Sequence, residues 1–273
     1  MSALVPAADP SVPQAVLVPA VALLGLLVGS FLNVVVWRVP RGLSVVRPPS
    51  ACPGCGAPVR PRDNVPVVSW LLLRGRCRDC RRPVSVRYPL VEAGTAVAFG
   101  AVAAWVGASW ALPALLHLAA VSIVLALVDL DLHRLPDAIV GPASVVGVVL
   151  VALACLAPGG QGDLAPLVRG LVGAAVLLGL YLVIWLVAPG GMGLGDVKLA
   201  GVLGLHLAWA GWGALVVGGF AAFVLGGAFG ALLLLSRRAD RRTGIPFGPW
   251  MLAGAWVGLV AGPSLWSGYL GLL

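Results

Sequence analysis

Charged residues make up only 10% of this 273-residue chain, against roughly a quarter in water-soluble domains. Aromatic residues are also few, at 7%, and there are five cysteines. So little charge leaves no composition for a soluble globular or a disordered chain. So few cysteines over this length exclude a secreted disulfide framework. What is present is apolar: residues of the AVILMFWYC set reach 60%, and mean hydropathy is +1.03. Apolar runs of about 20 residues, the length a hydrocarbon core of roughly 30 Å asks of a helix, recur along most of the chain. The pattern implies an all-α polytopic membrane protein.

Hydropathy predicts eight spans, near 14–36, 89–109, 113–128, 138–157, 167–188, 197–211, 213–235 and 249–270. The third and sixth are short for a full crossing. The net charge of +8 is not spread evenly: 11 of the 18 Lys and Arg lie between Arg38 and Arg87, and four between Arg237 and Arg242. Basic residues gathered into short loops mark the cytoplasmic side, so the connections at 38–88, 129–137, 189–196 and 236–248 face the cytoplasm and both termini face outward. Nucleic acid is not the expected partner; the bilayer is. No Lys or Arg precedes the first apolar stretch, which reads as a retained helix rather than a secretory signal. The expected organisation is an outward tail with the first helix (1–37), a cytoplasmic loop (38–88) and seven further membrane helices (89–273).

The 38–88 loop carries Cys52-Pro-Gly-Cys55 and Cys77-Arg-Asp-Cys80. Two C-x2-C pairs 21 residues apart come close to zinc-ribbon spacing, and four thiolates complete a tetrahedral zinc shell. Arg74, Arg76, Arg78, Arg81 and Arg82 would favour ionised thiols. Disulfides, iron or redox use, and no metal at all are the other readings. A cytoplasmic location speaks against disulfides. A four-sulfur shell leaves no position for water, so zinc here would fold the loop rather than catalyse. Cys155, alone, reads as a small buried apolar residue.

Two acidic clusters flank the membrane: Asp129-Leu-Asp131-Leu-His-Arg-Leu-Pro-Asp137 where the third span ends, and Gly191-Met-Gly193-Leu-Gly195-Asp196-Val-Lys198 where the sixth begins. Two spans separate them, so both return to one face. Carboxylates at that depth are costly and usually functional or paired. Two adjacent carboxylates share a proton, and such a pair can activate a water with one member and protonate a carbonyl with the other. Asp131 also reads as a solvated loop residue, and Asp137 as the acid at the start of the next helix. The glycines around Asp196 allow close backbone approach.

The segments "GSFLNVVVWRVP" (29–40), the two cysteine pairs, "RYPLVE" (87–92), "DLDLHRLPD" (129–137), "GMGLGDVKL" (191–199) and "PFGP" (246–249) together resemble the type IV prepilin peptidases, in that family's order and over nearly the whole chain. The resemblance implies an eight-span GxGD aspartyl protease of the bacterial inner membrane, with catalytic Asp129 and Asp196. Gly193, Gly195 and Lys198 would support the catalytic loop. It further implies prepilin-like substrates, cut after a glycine at the cytoplasmic face, where a short basic leader meets an apolar helix. It also implies possible methylation of the new N-terminus with S-adenosylmethionine, for which no glycine-rich methyl-donor fingerprint stands out.

Glu92, Ser30 and Asn33 lie near helix ends and are candidates for lining the site or for satisfying one another. His117 and His206 read as packed, since neither has a helical partner for a metal. Trp37, Trp105, Trp110, Trp209 and Trp212 fall near span ends, as interfacial belts do. Two rival functions remain at this level. A carboxylate-dependent transporter would use similar acids and glycine-broken helices, though nearer the midplane. A zinc-stabilised scaffold would explain the cysteines but not both aspartates.

Overall fold

The computed structural model describes residues 11–157, 162–188, 190–236 and 246–272. The basic cluster at Arg237–Arg242 and the acidic Asp9 lie outside them. Among the described residues the chain is helical, with nine α-helices and two short 3₁₀ turns. Eight of the helices are long: α1 (Gln14–Arg38), α3 (Arg87–Val106), α4 (Ala111–Leu132), α5 (Asp137–Leu156), α6 (Ala165–Val187), α7 (Leu194–Ala210), α8 (Trp212–Leu235) and α9 (Gly248–Leu270). Each covers one of the eight apolar runs. The remaining helix, α2 (Val68–Leu72), lies in the loop. Six of the long helices are long and apolar enough to cross a membrane; α7 and α9 are not among them.

The chain divides into two compact units, residues 9–108 and the portion from 109 onward. In the first, α1 and α3 pack along a seam of small residues. A Cβ on Gly29 would lie 2.8 Å from the Glu92 Cα, so only glycine lets the two backbones meet there. Asn33 Nδ2 donates to the Tyr88 carbonyl at 3.2 Å. Glu92, buried, accepts the Val67 N–H at 2.7 Å through Oε2 and so ties the loop to α3.

In the second unit α6 packs on α7 and α8 on α9, while α7 also touches α5 and α9. The core holds small residues and also large ones such as Leu115, Leu118, Leu125 and Met251, while another set of large side chains faces out. Val145, Val149, Leu180, Val183, Leu186 and Phe220 are all exposed, a pattern suited to lipid rather than water. Helix α7 is largely enclosed. Seventeen residues span only about 25 Å at 1.5 Å each, but twelve of them are buried, so neighbouring helices rather than lipid surround it. Trp209 is wholly buried on α7 and is not part of an interfacial belt. His117 and His206 stack with ring centroids 6.5 Å apart, a pairing across helices that spacing along the chain could not reveal.

Candidate active site and metal centre

Helix α4 runs a turn past the last residue of its apolar stretch. It is closed by His133 in the left-handed conformation (φ 50°), whose N–H reaches the Asp129 carbonyl at 2.8 Å. Asp129 therefore stands on helical backbone and is 4% exposed. Asp131, also in the last turn, faces outward. A carboxylate taken from water needs donors, and Asp129 Oδ2 accepts the Gly248 N–H at 3.0 Å. Gly248 opens α9. The donor is thus one of the N–H groups that a helix start leaves without an internal partner, at the positive end of the helix dipole. A Cβ on Gly248 would lie 2.7 Å from that same oxygen.

Asp196 sits in the first turn of α7. Its Oδ2 accepts the Gly193 N–H at 3.0 Å, while its own N–H donates to the Gly193 carbonyl at 3.1 Å. This reciprocal pair fixes the helix start as a capping box does. Leu135 brings the segments together. A Cβ on Gly195 would lie 2.8 Å from the Leu135 Cβ and 3.0 Å from its carbonyl oxygen, and one on Gly248 would lie 3.5 Å from the Leu135 Cδ1. The segments 129–137, 191–199 and 246–249 therefore meet at one leucine. Among the described residues neither aspartate's Oδ1 has a hydrogen-bond partner, so each keeps an oxygen for water or substrate.

Of the supporting residues, Gly193 gives the N–H to Asp196, and Gly195 gives the close approach to Leu135. Neither requires a left-handed backbone; Gly190 does, at φ 82°. Lys198 goes elsewhere, its Nζ donating to both oxygens of Asp137 at 2.6 and 2.7 Å. Two residues along a helix are about 200° around it, so Lys198 and Asp196 face opposite ways. The Lys198–Asp137 pair lies at one end of a cavity of about 390 Å³ between α5, α6 and α7.

Sequence reasoning leaves Leu135 and Tyr181 unassigned, and it quotes Gly248 without a role. Tyr181 on α6 is 2% exposed. Its ring lies 5.5 Å from Phe223 and 6.4 Å from Phe247, centroid to centroid, and those two are 5.4 Å apart. A single tyrosine in an apolar run carries no sequence signal.

In the other unit, the two cysteine pairs fold into like turns. The Cys52 N–H donates to the Ala57 carbonyl and the Gly56 N–H to the Cys52 carbonyl; Cys77 with Arg82, and Arg81 with Cys77, repeat the pattern. Each turn needs a left-handed residue four places after its first cysteine, Gly56 (φ 73°) and Arg81 (φ 59°). Arg78 grips Asp63 with three hydrogen bonds of 2.6–3.0 Å, holding that carboxyl below its ordinary range. Arg60 pairs with Asp79 at 2.9 Å. Two of the loop's many arginines are thus engaged with carboxylates.

The four sulfurs all lie within 4.8 Å of one another, with Cys52 and Cys80 at 3.8 Å. Sulfurs about 2.3 Å from a central ion sit about 3.8 Å apart, so the group suits a metal ion. Backbone N–H groups of Gly54 and Cys55 lower the Cys52 thiol to about 7. Cys55 moves the other way, to about 12: the Ala57 backbone lowers it, but the neighbouring Cys80, burial, Cys52 and Cys77 outweigh that. Four thiols so close do not all ionise unless a cation lies among them.

Fold and site thus define a polytopic membrane protein with two carboxylates gathered at one end of a helix bundle and a four-cysteine cluster in a separate unit. Residues 116–231 match the Type IV leader peptidase family, and residues 23–106 the Bacterial Peptidase A24 N-terminal domain. The chain is 37% identical to a prepilin leader peptidase/N-methyltransferase of Pseudomonas aeruginosa, over 91% of each chain. It is 38% identical to one of Pseudomonas putida, over 92% of each. With one of Neisseria gonorrhoeae it shares 36% identity, over 94% of this chain and 95% of the other. The chain belongs to the type IV leader peptidase family. No solved structure matches it.

Proposed function

We propose that this protein is a membrane aspartyl endopeptidase that removes the leader from type IV prepilin-like substrates, with Asp129 and Asp196 as the catalytic pair. The meeting of their two segments and of Gly248 at Leu135 supports this reading. The ionised member takes a proton from a water whose oxygen attacks the scissile carbonyl carbon. The other member gives its proton to the carbonyl oxygen. Collapse of the tetrahedral intermediate breaks the C–N bond, and a proton passes to the leaving nitrogen. A site at the end of the bundle admits the water this requires. Family membership leaves the transporter reading without support.

The reading places the protein in the bacterial inner membrane with eight spans and the aspartates on the cytoplasmic side, where the loop arginines gather. It divides the chain into the first helix (1–37), a cysteine loop (38–88) and the seven-helix catalytic portion (89–273). Zinc is the ion we assign to Cys52, Cys55, Cys77 and Cys80, in a structural role. Methylation of the new N-terminus with S-adenosylmethionine is proposed on the relatives' names alone. The 390 Å³ cavity is lined by apolar residues apart from Ser144 and the paired Asp137 and Lys198.

The test is cleavage of a leader-bearing prepilin by the purified protein. Asp129→Asn and Asp196→Asn should each lower kcat by roughly 10²–10⁴-fold while insertion and thermal stability stay unchanged, and Asp131→Asn should do less. Full activity in either of the first two variants would remove the assignment.

A further inference from the structure

A tyrosine not used in the mechanism above packs against the segment that holds Asp129. Tyr181 reaches the site from two sides. Its ring contacts Phe247, and the next residue, Gly248, donates to Asp129. Tyr181 also shares a small cavity with Ala200, which lies one turn beyond Asp196 on the same face of α7. The side chain is 2% exposed, and its hydroxyl makes no hydrogen bond among the described residues. Phenylalanine would fill an aromatic cluster with Phe223 and Phe247 equally well. Among the described residues the hydroxyl thus has no bond to give up, and such a donor is what a transient acceptor needs.

Resting on the peptidase reading, we propose that Tyr181 is a third catalytic residue, whose hydroxyl donates a hydrogen bond to the scissile carbonyl oxygen as the carbon becomes tetrahedral. The tyrosine gives up no proton. It steadies the oxygen to which the protonated aspartate delivers its own. Such a donor acts on charge that develops only in the transition state, so its loss appears in kcat rather than KM.

The experiment compares Tyr181→Phe with wild type in cleavage of a leader-bearing prepilin, alongside thermal stability in the same detergent. The substitution keeps the ring contacts. The expected result is a fall in kcat of about 10²-fold, the scale for losing one oxyanion donor, with KM within about twofold and stability unchanged. Phe223→Leu, which disturbs the cluster but no hydroxyl, should lower stability and leave kcat far closer to wild type. Wild-type kcat in Tyr181→Phe would overturn the proposal, as would a loss seen only in KM or matched by lost stability. Failure of wild type itself to cleave would overturn the peptidase reading instead.

Discussion

Gly248 and Gly195 hold the two aspartate segments in different ways, and alanine should separate them. At Gly248 the added Cβ meets the Asp129 carboxylate, 2.7 Å away. The end of a side chain can swing aside, so Gly248→Ala should leave thermal stability near wild type. The displaced carboxylate should nevertheless lower kcat by about 10²-fold, as small misplacements of reacting groups do. At Gly195 the Cβ meets Leu135 backbone atoms at 3.0 and 3.3 Å, and backbone cannot yield without moving α7 or the segment before α5. Gly195→Ala should therefore lower both kcat and the melting temperature. Measuring both quantities for both variants checks the contrast; a Gly248→Ala enzyme with unchanged kcat would show that Asp129 need not sit where this N–H holds it.

Among elements, the cysteine loop is the clearest case of local chemistry making structure. The 38–88 segment has only a short helix and two 3₁₀ turns of its own, and its two turns converge on four sulfurs. Metal analysis of gently purified protein should give about one zinc per chain, and replacing Cys52, Cys55, Cys77 and Cys80 with Ser should remove it and leave the loop open to proteases. Zinc at wild-type level in the fourfold variant would place the ion elsewhere. Gly56→Ala puts a side chain on a left-handed backbone, at a cost of about 1 kcal/mol, and should speed zinc loss to a chelator. Arg81→Gly relieves the same conformation in the second turn and should not.

For the whole molecule, the testable consequence is sidedness. A cysteine at Leu132 should react with an impermeant thiol reagent only after the cytoplasmic side is opened, and one at Asp163 should react from outside, in a Cys155→Ala background with parental labelling subtracted. Outward labelling at Leu132 would reverse the topology and separate the aspartates from a cytoplasmic leader.

Much of this was legible along the chain, because a membrane helix announces itself by length and hydropathy alone. All eight long helices fall on apolar runs, and the short spacing within each cysteine pair fixed which residues could share a metal. Asp129 and Asp196 stood out because a carboxylate beside an apolar run is costly wherever the run folds. Sequence also determined the family, through motifs whose order survives without coordinates. Only the tertiary structure decided what meets what. Leu135 and Gly248 are ordinary residues until three distant segments converge on them. Tyr181 carries no period or spacing that marks it, and becomes notable because α6 sets its ring against Phe247. Lys198 adjoins the GxGD segment in sequence but turns to Asp137, since two residues of helix carry a side chain to the opposite face. Burial of the short α7 is likewise a property of its neighbours: packing, not composition, encloses twelve of its 17 residues.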